Sequence, residues 1–343
     1  MVLLSIFLVL IILEGVARIF KPVPHSIDYF GSFRLVKNLD LVYEFIPGAK
    51  VDESVINPQG FKDLPFIQSK GKDVIRIAML GDSITQGIQV PLGKTFSDFL
   101  EISLNEESAQ KGRKSQYEVM NFGVCGYNLA AEIELLKTKV ILYSPDIVIF
   151  NYYYNDSDPI PGYHMFIIDK NSQLSQKDRL QIIKKYYHSN NPAGRFIKKN
   201  FFNRSRLYFY ISDNLGKAQR NIFNPAAFYN KNYGGKMAPD EINMMRGFLK
   251  DIEVLSRRHG FKVLFCIHGF LVSEEHPNNT LFVKLLQEKD LPYFNMIKYY
   301  KEKLGVSGSN AMIGFDHCHP NAFGHAIIAD AMLFELKKDH FIN

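Results

Sequence analysis

The run Gly81-Asp82-Ser83-Ile84-Thr85-Gln86-Gly87 follows the apolar, β-rich stretch Val74 to Leu80. A serine on the turn that ends a buried strand exposes its hydroxyl, and its own backbone N–H can face a reacting carbonyl. Ser83 is therefore a candidate nucleophile. Such a serine needs a base, and the base an orienting acid. Both residue types occur together in Asp316-His317-Cys318-His319-Pro320-Asn321, where Asp316 and His319 are three apart. On one helical turn that spacing projects two side chains to the same side. A developing oxyanion needs donors. Three candidates follow the first three strands: the Ser83 N–H, the Gly126 N–H and the Asn155 side-chain amide. Glycine at 126 lets bare backbone come close to a substrate.

Each of these has a plainer alternative. Gly-Asp-Ser is also an ordinary strand-to-helix turn, Asp316 a helix-start carboxylate, His319 a surface histidine and Asn155-Asp156 a turn. Asp316, His317, Cys318, His319 and His325 are a metal-site alternative, but adjacent ligands rarely converge on one ion and no second Cys/His pair closes it. No metal and no cofactor is expected. Thr85 stands where a Gly-x-Ser-x-Gly elbow needs its second glycine, and no Walker or dinucleotide fingerprint is present. Three glycosylation sequons occur, at Asn155, Asn203 and Asn278. A glycan on Asn155 would block the site, so that match is read as accidental.

The elements that must position these residues alternate. A strand at Val74–Leu80 leads to a helix over Thr95–Asn105 and a polar loop over Glu106–Gln116. A second strand at Tyr117–Phe122 follows, then a helix capped by Asn128 and running to about Tyr143. A third strand covers Ile147–Tyr154. The alternation resumes with a helix capped by Asp240 and ending at His259, a strand at Phe261–Ile267, a helix near Thr280–Gln287, a short strand at Pro292–Phe294 and a helix opening at Pro320. Strands alternating with helices predict a parallel sheet with crossover helices, whose ligand crevice lies at the strands' carboxyl ends.

Four blocks in this order resemble the SGNH, or GDSL, hydrolase superfamily. Gly81 to Gly87 matches its first block, Asn121-Phe122-Gly123-Val124-Cys125-Gly126 its second, Asn155-Asp156 its third, and Asp316-His317-Cys318-His319-Pro320 its fifth. The resemblance implies Ser83 as nucleophile, His319 as base, Asp316 as its partner, and Ser83, Gly126 and Asn155 as the oxyanion hole. It also implies a three-layer α/β/α sandwich on a short parallel, flavodoxin-like sheet. Tyr153 stands where the family has glycine before Asn-Asp, which puts the shape of the pocket beside Asn155 in question. The stretch Asn57-Pro58-Gln59-Gly60-Phe61-Lys62-Asp63 and the apolar N-terminus are similar to those of membrane-anchored bacterial members.

Composition sets the remaining bounds. The 343 residues, 46% hydrophobic and 22% charged, suit a globular α/β chain with insertions. Cys125, Cys266 and Cys318 lack C-x-x-C spacing and imply no disulfide framework. Val2 to Leu13 is unbroken apolar sequence, interrupted by Glu14. Residues 1–21 are therefore read as an uncleaved hydrophobic anchor, residues 22–72 as a wrapping lead-in, and residues 73–343 as the hydrolase domain. The catalytic domain is expected outside the cytoplasm, although Arg18 and Lys21 bias the opposite way and are too few to fix orientation. The segment 157–238 breaks the alternation and carries fourteen Lys and Arg against four Asp, a charge of +10 where the whole chain is +6. It is read as a basic, aromatic helical cap facing an anionic surface or polymer, or else a solvated face. No nucleic-acid motif accompanies that charge. The expected activity is hydrolysis of an acyl ester. Transfer of an acyl group to a cell-surface polysaccharide and a non-catalytic scaffold on the same fold are the alternatives, with an ester or acylated carbohydrate as substrate.

Overall fold

The computed structural model describes residues 2–20, 32–38, 40–51, 54–157, 205, 207, 237, 239–269, 277–304, 311 and 319–342. The basic cap expected at 157–238 lies outside the described residues apart from Ser157, Ser205, Leu207 and Met237, as do Asp316, His317 and Cys318. In chain order the elements are helix α1 (Val2–Phe20), strands β1 (Phe33–Leu35), β2 (Tyr43–Phe45), β3 (Lys50–Val51), β4 (Ser54–Val55) and β5 (Val74–Gly81), helices α2 (Ser83–Gln86) and α3 (Phe96–Gln110), strand β6 (Gln116–Asn121), helix α4 (Leu129–Thr138) and strand β7 (Ile147–Tyr152). Helix α5 (Pro239–His259), strand β8 (Lys262–Ile267), helix α6 (Pro277–Glu288), strand β9 (Tyr293–Asn295) and helices α7 (Met296–Leu304) and α8 (Ala322–Lys338) complete it.

Five strands form one parallel sheet in the order β6-β5-β7-β8-β9. Period-two side-chain alternation gives each strand two buried faces. Ala78 and Leu80 of β5 join a core with residues of α4, α5 and α6. Ile77 and Met79 join a second core with residues of α3, α7 and α8. Helices on both faces make the expected three layers. The second strand in sequence lies outside the first, so the connections turn opposite ways between β5 and β7. That switch point opens a crevice at the carboxyl ends of those two strands.

The lead-in does more than wrap. It forms two short antiparallel pairs, β1–β2 and β3–β4, and its Phe33, Tyr43, Phe45 and Phe61 enter the α4–α6 core. The guanidinium of Arg76 in β5 is fully buried beneath this segment. It donates to the carbonyls of Ile67, Gln68, Ser69 and Tyr143 and to the Glu118 carboxylate at 2.5–3.1 Å.

Several elements differ from expectation. Helix α3 runs to Gln110 through the stretch read as a polar loop. A capping box of Thr95 with Asp98 starts it, and Glu106, Glu107, Ala109 and Gln110 are good helix formers. The helix after Asn128 stops at Thr138, and Val140–Tyr143 is a separate 3-10 turn. Strand β7 ends at Tyr152, because Asp156 Oδ2 accepts from the Tyr153 amide at 2.7 Å and folds Tyr154–Ser157 into a 3-10 turn. The last helix opens after Pro320, with Asn321 as the N-cap accepting from the Gly324 amide.

The apolar N-terminal helix forms as α1, and Ile6 to Leu13 are all exposed along it. Glu14, which interrupts the run, accepts from Arg18 Nε at 2.9 Å, from the Ser205 hydroxyl at 2.8 Å and from the Leu207 amide at 3.0 Å. Among the described residues, no helix is long and apolar enough to cross a membrane.

Candidate active site

The first block is built as a tight strand-to-helix turn. Gly81 ends β5 at φ 157°, where an added Cβ would lie 2.0 Å from Thr85 Oγ1. Asp82 caps α2, its Oδ1 accepting from the Ile84 amide at 2.9 Å. Gly87 closes the four-residue helix in the left-handed conformation at φ 73°, a geometry glycine adopts without a Cβ penalty. Ser83 thus sits at the first position of α2, above the carboxyl end of β5.

The second block braces the first. Asn121, at the end of β6, donates from Nδ2 to the Thr85 carbonyl at 2.7 Å and to Ser97 Oγ at 3.1 Å, while its Oδ1 accepts from the Gly123 amide. Gln86 Oε1 accepts from the Cys125 amide at 2.9 Å. Gly123 packs directly against the α2 backbone: a Cβ there would stand 2.2 Å from the Gln86 nitrogen. Gly126 has φ 76°, which glycine tolerates.

Across the switch point, Asn155 lies in the 3-10 turn after β7 and donates from Nδ2 to Asp82 Oδ2 at 3.1 Å. Its Oδ1 is buried and has no hydrogen-bond partner among the described residues. Tyr153 directly precedes this turn, and its amide donates to Asp156 Oδ2 within it. It is buried in the core that also holds Ile84, its ring 4.6 Å from that of Tyr154. The sequon serine Ser157 is buried as well, with its hydroxyl donating to the Tyr154 carbonyl.

His319 arrives from the far end of the chain. The Asn321 amide donates to the Ala311 carbonyl at 2.9 Å, and α8 packs along α3. His325 Nδ1 accepts from the Phe96 amide at 3.0 Å and its ring stacks on Phe96 at 5.3 Å, which ties the start of α8 to the start of α3. The result is an approach of His319 Nε2 to Ser83 Oγ at 2.7 Å.

Of the expected site residues, Ser83, His319 and Asn155 converge here, with Gly126 on the turn after β6. Asp316 lies outside the described residues. His325, weighed as a metal ligand, instead has Nδ1 engaged by backbone.

Burial shapes the electrostatics. It pushes the Asp82 carboxyl upward, opposed by the Ile84 amide, the charge of His319 and the Asn155 amide. Glu132 of α4 is fully buried and held well above the usual carboxylate range, first by desolvation and then by Asp82. Burial likewise keeps His268 and His325 neutral, with both pushed down to about 3.

Sequence reasoning passed over Asp82, Asn121 and Gln86. The signal for Asp82 was present, since aspartate directly before a short helix is a strong cap residue. Asn121 and Gln86 act through contacts between segments that no local pattern announces.

No family model matches the chain, and no curated protein matches it. Among solved structures, it is similar to a two-domain esterase active on acetylated mannans, with TM-score 0.45 and 15% identity over 77% of this chain and 49% of that one. It therefore spans about half the length of that protein. An acetylxylan esterase from Geobacillus stearothermophilus matches with TM-score 0.44 and 12% identity, over 76% of this chain and 94% of that one. A lipase/acylhydrolase from Enterococcus faecalis matches with TM-score 0.42 and 14% identity, over 77% and 96%.

Proposed function

We propose that the chain is a serine esterase of the SGNH type. The observation that supports this most is the 2.7 Å approach of His319 Nε2 to Ser83 Oγ, made at a sheet switch point by residues 236 apart in sequence. An unselected surface serine and histidine have no reason to meet there.

In the proposed reaction His319 Nε2 takes the Ser83 proton as Oγ attacks the ester carbonyl carbon. The carbonyl π electrons move to oxygen. The Ser83 and Gly126 amides and the Asn155 amide stabilise that oxyanion. Asn155 Nδ2 carries two N–H groups; Asp82 engages one, and the proposal gives the other to the oxyanion. Collapse expels the alcohol, which takes the proton from His319 and leaves an acyl-Ser83. Water, deprotonated by His319, then releases the acid and restores the hydroxyl. Asp316 is assigned the orienting role on resemblance.

The acyl acceptor is water in this reading. The exposed apolar surface of α1 supports attachment to a lipid surface, since eight consecutive residues at 100° spacing cover every side of a helix. An ester of a cell-envelope carbohydrate is the substrate such attachment favours.

Labelling with a fluorophosphonate tests the nucleophile. Wild type is expected to label in minutes and Ser83→Ala not at all. Equal labelling of the two, or none of wild type, removes the assignment. Release of p-nitrophenol from short-chain esters, with and without acetylatable oligosaccharide, then separates hydrolysis from acyl transfer.

A further inference from the structure

The lead-in stretch Asn57 to Asp63 has no part in the reaction just described, yet its side chains reach both the block that bears Ser83 and the block that begins at Asn121. Asn57 folds it into a compact turn: Oδ1 accepts from the Gln59 and Phe61 amides at 3.0 and 2.9 Å, and Nδ2 donates to the Leu64 carbonyl. Phe61 then packs on Phe122 at 4.9 Å, and Asp63 Oδ2 accepts from the Asn121 amide at 2.7 Å. Between them, Lys62 is 1% exposed. Its ammonium donates to the Gly87 carbonyl at 2.7 Å and the Val90 carbonyl at 2.8 Å.

Burying an ammonium costs several kcal/mol unless its donors are met, so an apolar side chain would serve plain packing better. What the charge reaches is the exit of α2. Gly87 is the C-cap of that helix, where carbonyl oxygens lack helical partners and the dipole is negative. The two carbonyls flank Ile88, and the Ile88 amide donates to the carbonyl of Ser83 itself at 3.2 Å. The Gly87 amide also donates to the Ser83 carbonyl, so Lys62 grips the backbone at, and just after, the two amides that hold it.

We infer that Lys62 is a positioning residue for the nucleophile: it fixes the α2 exit loop so that Ser83 Oγ meets His319 Nε2. The inference rests on the esterase reading. A nucleophile displaced by about 1 Å loses on the order of 10²-fold in rate, so the effect belongs in kcat and in the intrinsic reactivity of Ser83 rather than in KM.

The experiment compares wild type, Ser83→Ala, Lys62→Met and Lys62→Gln by fluorophosphonate labelling rate and by kcat and KM on p-nitrophenyl acetate. Lys62→Met keeps the bulk and removes the donors. It is expected to lower both kcat and the labelling rate about 10–100-fold with KM within about threefold. Lys62→Gln, which keeps one amide group able to reach a carbonyl, is expected to fall between Met and wild type, and it carries the comparison alone if the Met variant fails to fold. Labelling and kcat at the wild-type level in a folded variant overturn the inference, even if its melting temperature falls, because the grip is then only structural. A rise in KM with unchanged kcat overturns it too. Wild type that labels no faster than Ser83→Ala overturns the esterase reading and this inference with it.

Discussion

Replacing Gly123 with alanine is expected to damage the site through backbone contact alone. An alanine Cβ at this position would stand 2.2 Å from the Gln86 nitrogen, 2.6 Å from the Thr85 carbonyl carbon and 2.8 Å from Thr85 Cβ, where ordinary contact begins at 3.4 Å. The worst overlap is thus short by about 1.2 Å, and the atoms involved belong to the backbone of α2, which has no rotamer to relieve it. Either the turn after β6 or α2 must move by that distance. Asn121 ties the two together through the Thr85 carbonyl, so the movement strains that bond as well. With Ser83 Oγ starting 2.7 Å from His319 Nε2, a shift near 1 Å takes the pair beyond hydrogen-bond reach. Overpacking is expected to cost ~1–3 kcal/mol of stability, and misplacement on the order of 10²-fold in kcat/KM. Initial rates on p-nitrophenyl acetate and a urea melt measure both. Gly247→Ala in α5 is the control, since nothing lies within 4 Å of its Cβ. Gly123→Ala with wild-type kcat/KM and an unmoved melt would show that the α2 contact does not set the Ser83–His319 distance.

Three further outcomes follow from features outside the chemistry. Arg76→Met leaves four carbonyls beneath the lead-in without their guanidinium donor and is expected to lower stability by about 3–5 kcal/mol; a urea midpoint within error of wild type would contradict the network. His268 and His325 are pushed down to about 3 by burial, so the unfolded chain binds protons below about pH 6.5 that the folded chain refuses. Stability is then full above that pH and falls towards pH 3, by at most ~5 kcal/mol for each histidine. His325→Asn, which keeps an acceptor for the Phe96 amide, should flatten the acid slope of stability against pH, and an unchanged slope would remove His325 as a cause. Deleting residues 2–20 is expected to move the protein from pelleted lipid vesicles to the supernatant; continued co-sedimentation would locate the lipid contact elsewhere.

Much of this was legible in the residues. The sheet announced itself because its strands are buried on both faces and so read as continuous apolar runs between turn residues. The turn bearing Ser83 was legible for a related reason: Gly81 and Gly87 mark two backbone positions on it where side chains do not fit. What escaped falls into two kinds. Boundaries shifted where a side chain competes with backbone, as Asp156 does in ending β7 and Asn321 in capping α8 ahead of the more obvious Pro320. Helix α7 (Met296–Leu304) was missed because it follows β9 with no intervening turn signal. The second kind is long-range polar contact. Arg76, Asn121 and Gln86 look like ordinary strand or helix residues, and their partners in other segments lie 7 to 67 positions away, brought together only by folding.

The pairing of Ser83 with His319 spans 236 positions, and His319 is held by the segment that docks α8 onto α3. A ribosome adding 5–20 residues per second reaches His319 roughly 10–50 s after Ser83. During that interval β6 and β7 are added to β5 and the turn bearing Ser83, but in the proposed mechanism the serine still has no base. Under the proposed mechanism, the order of the chain thus keeps the Ser83 hydroxyl inert until residue 319 has been added.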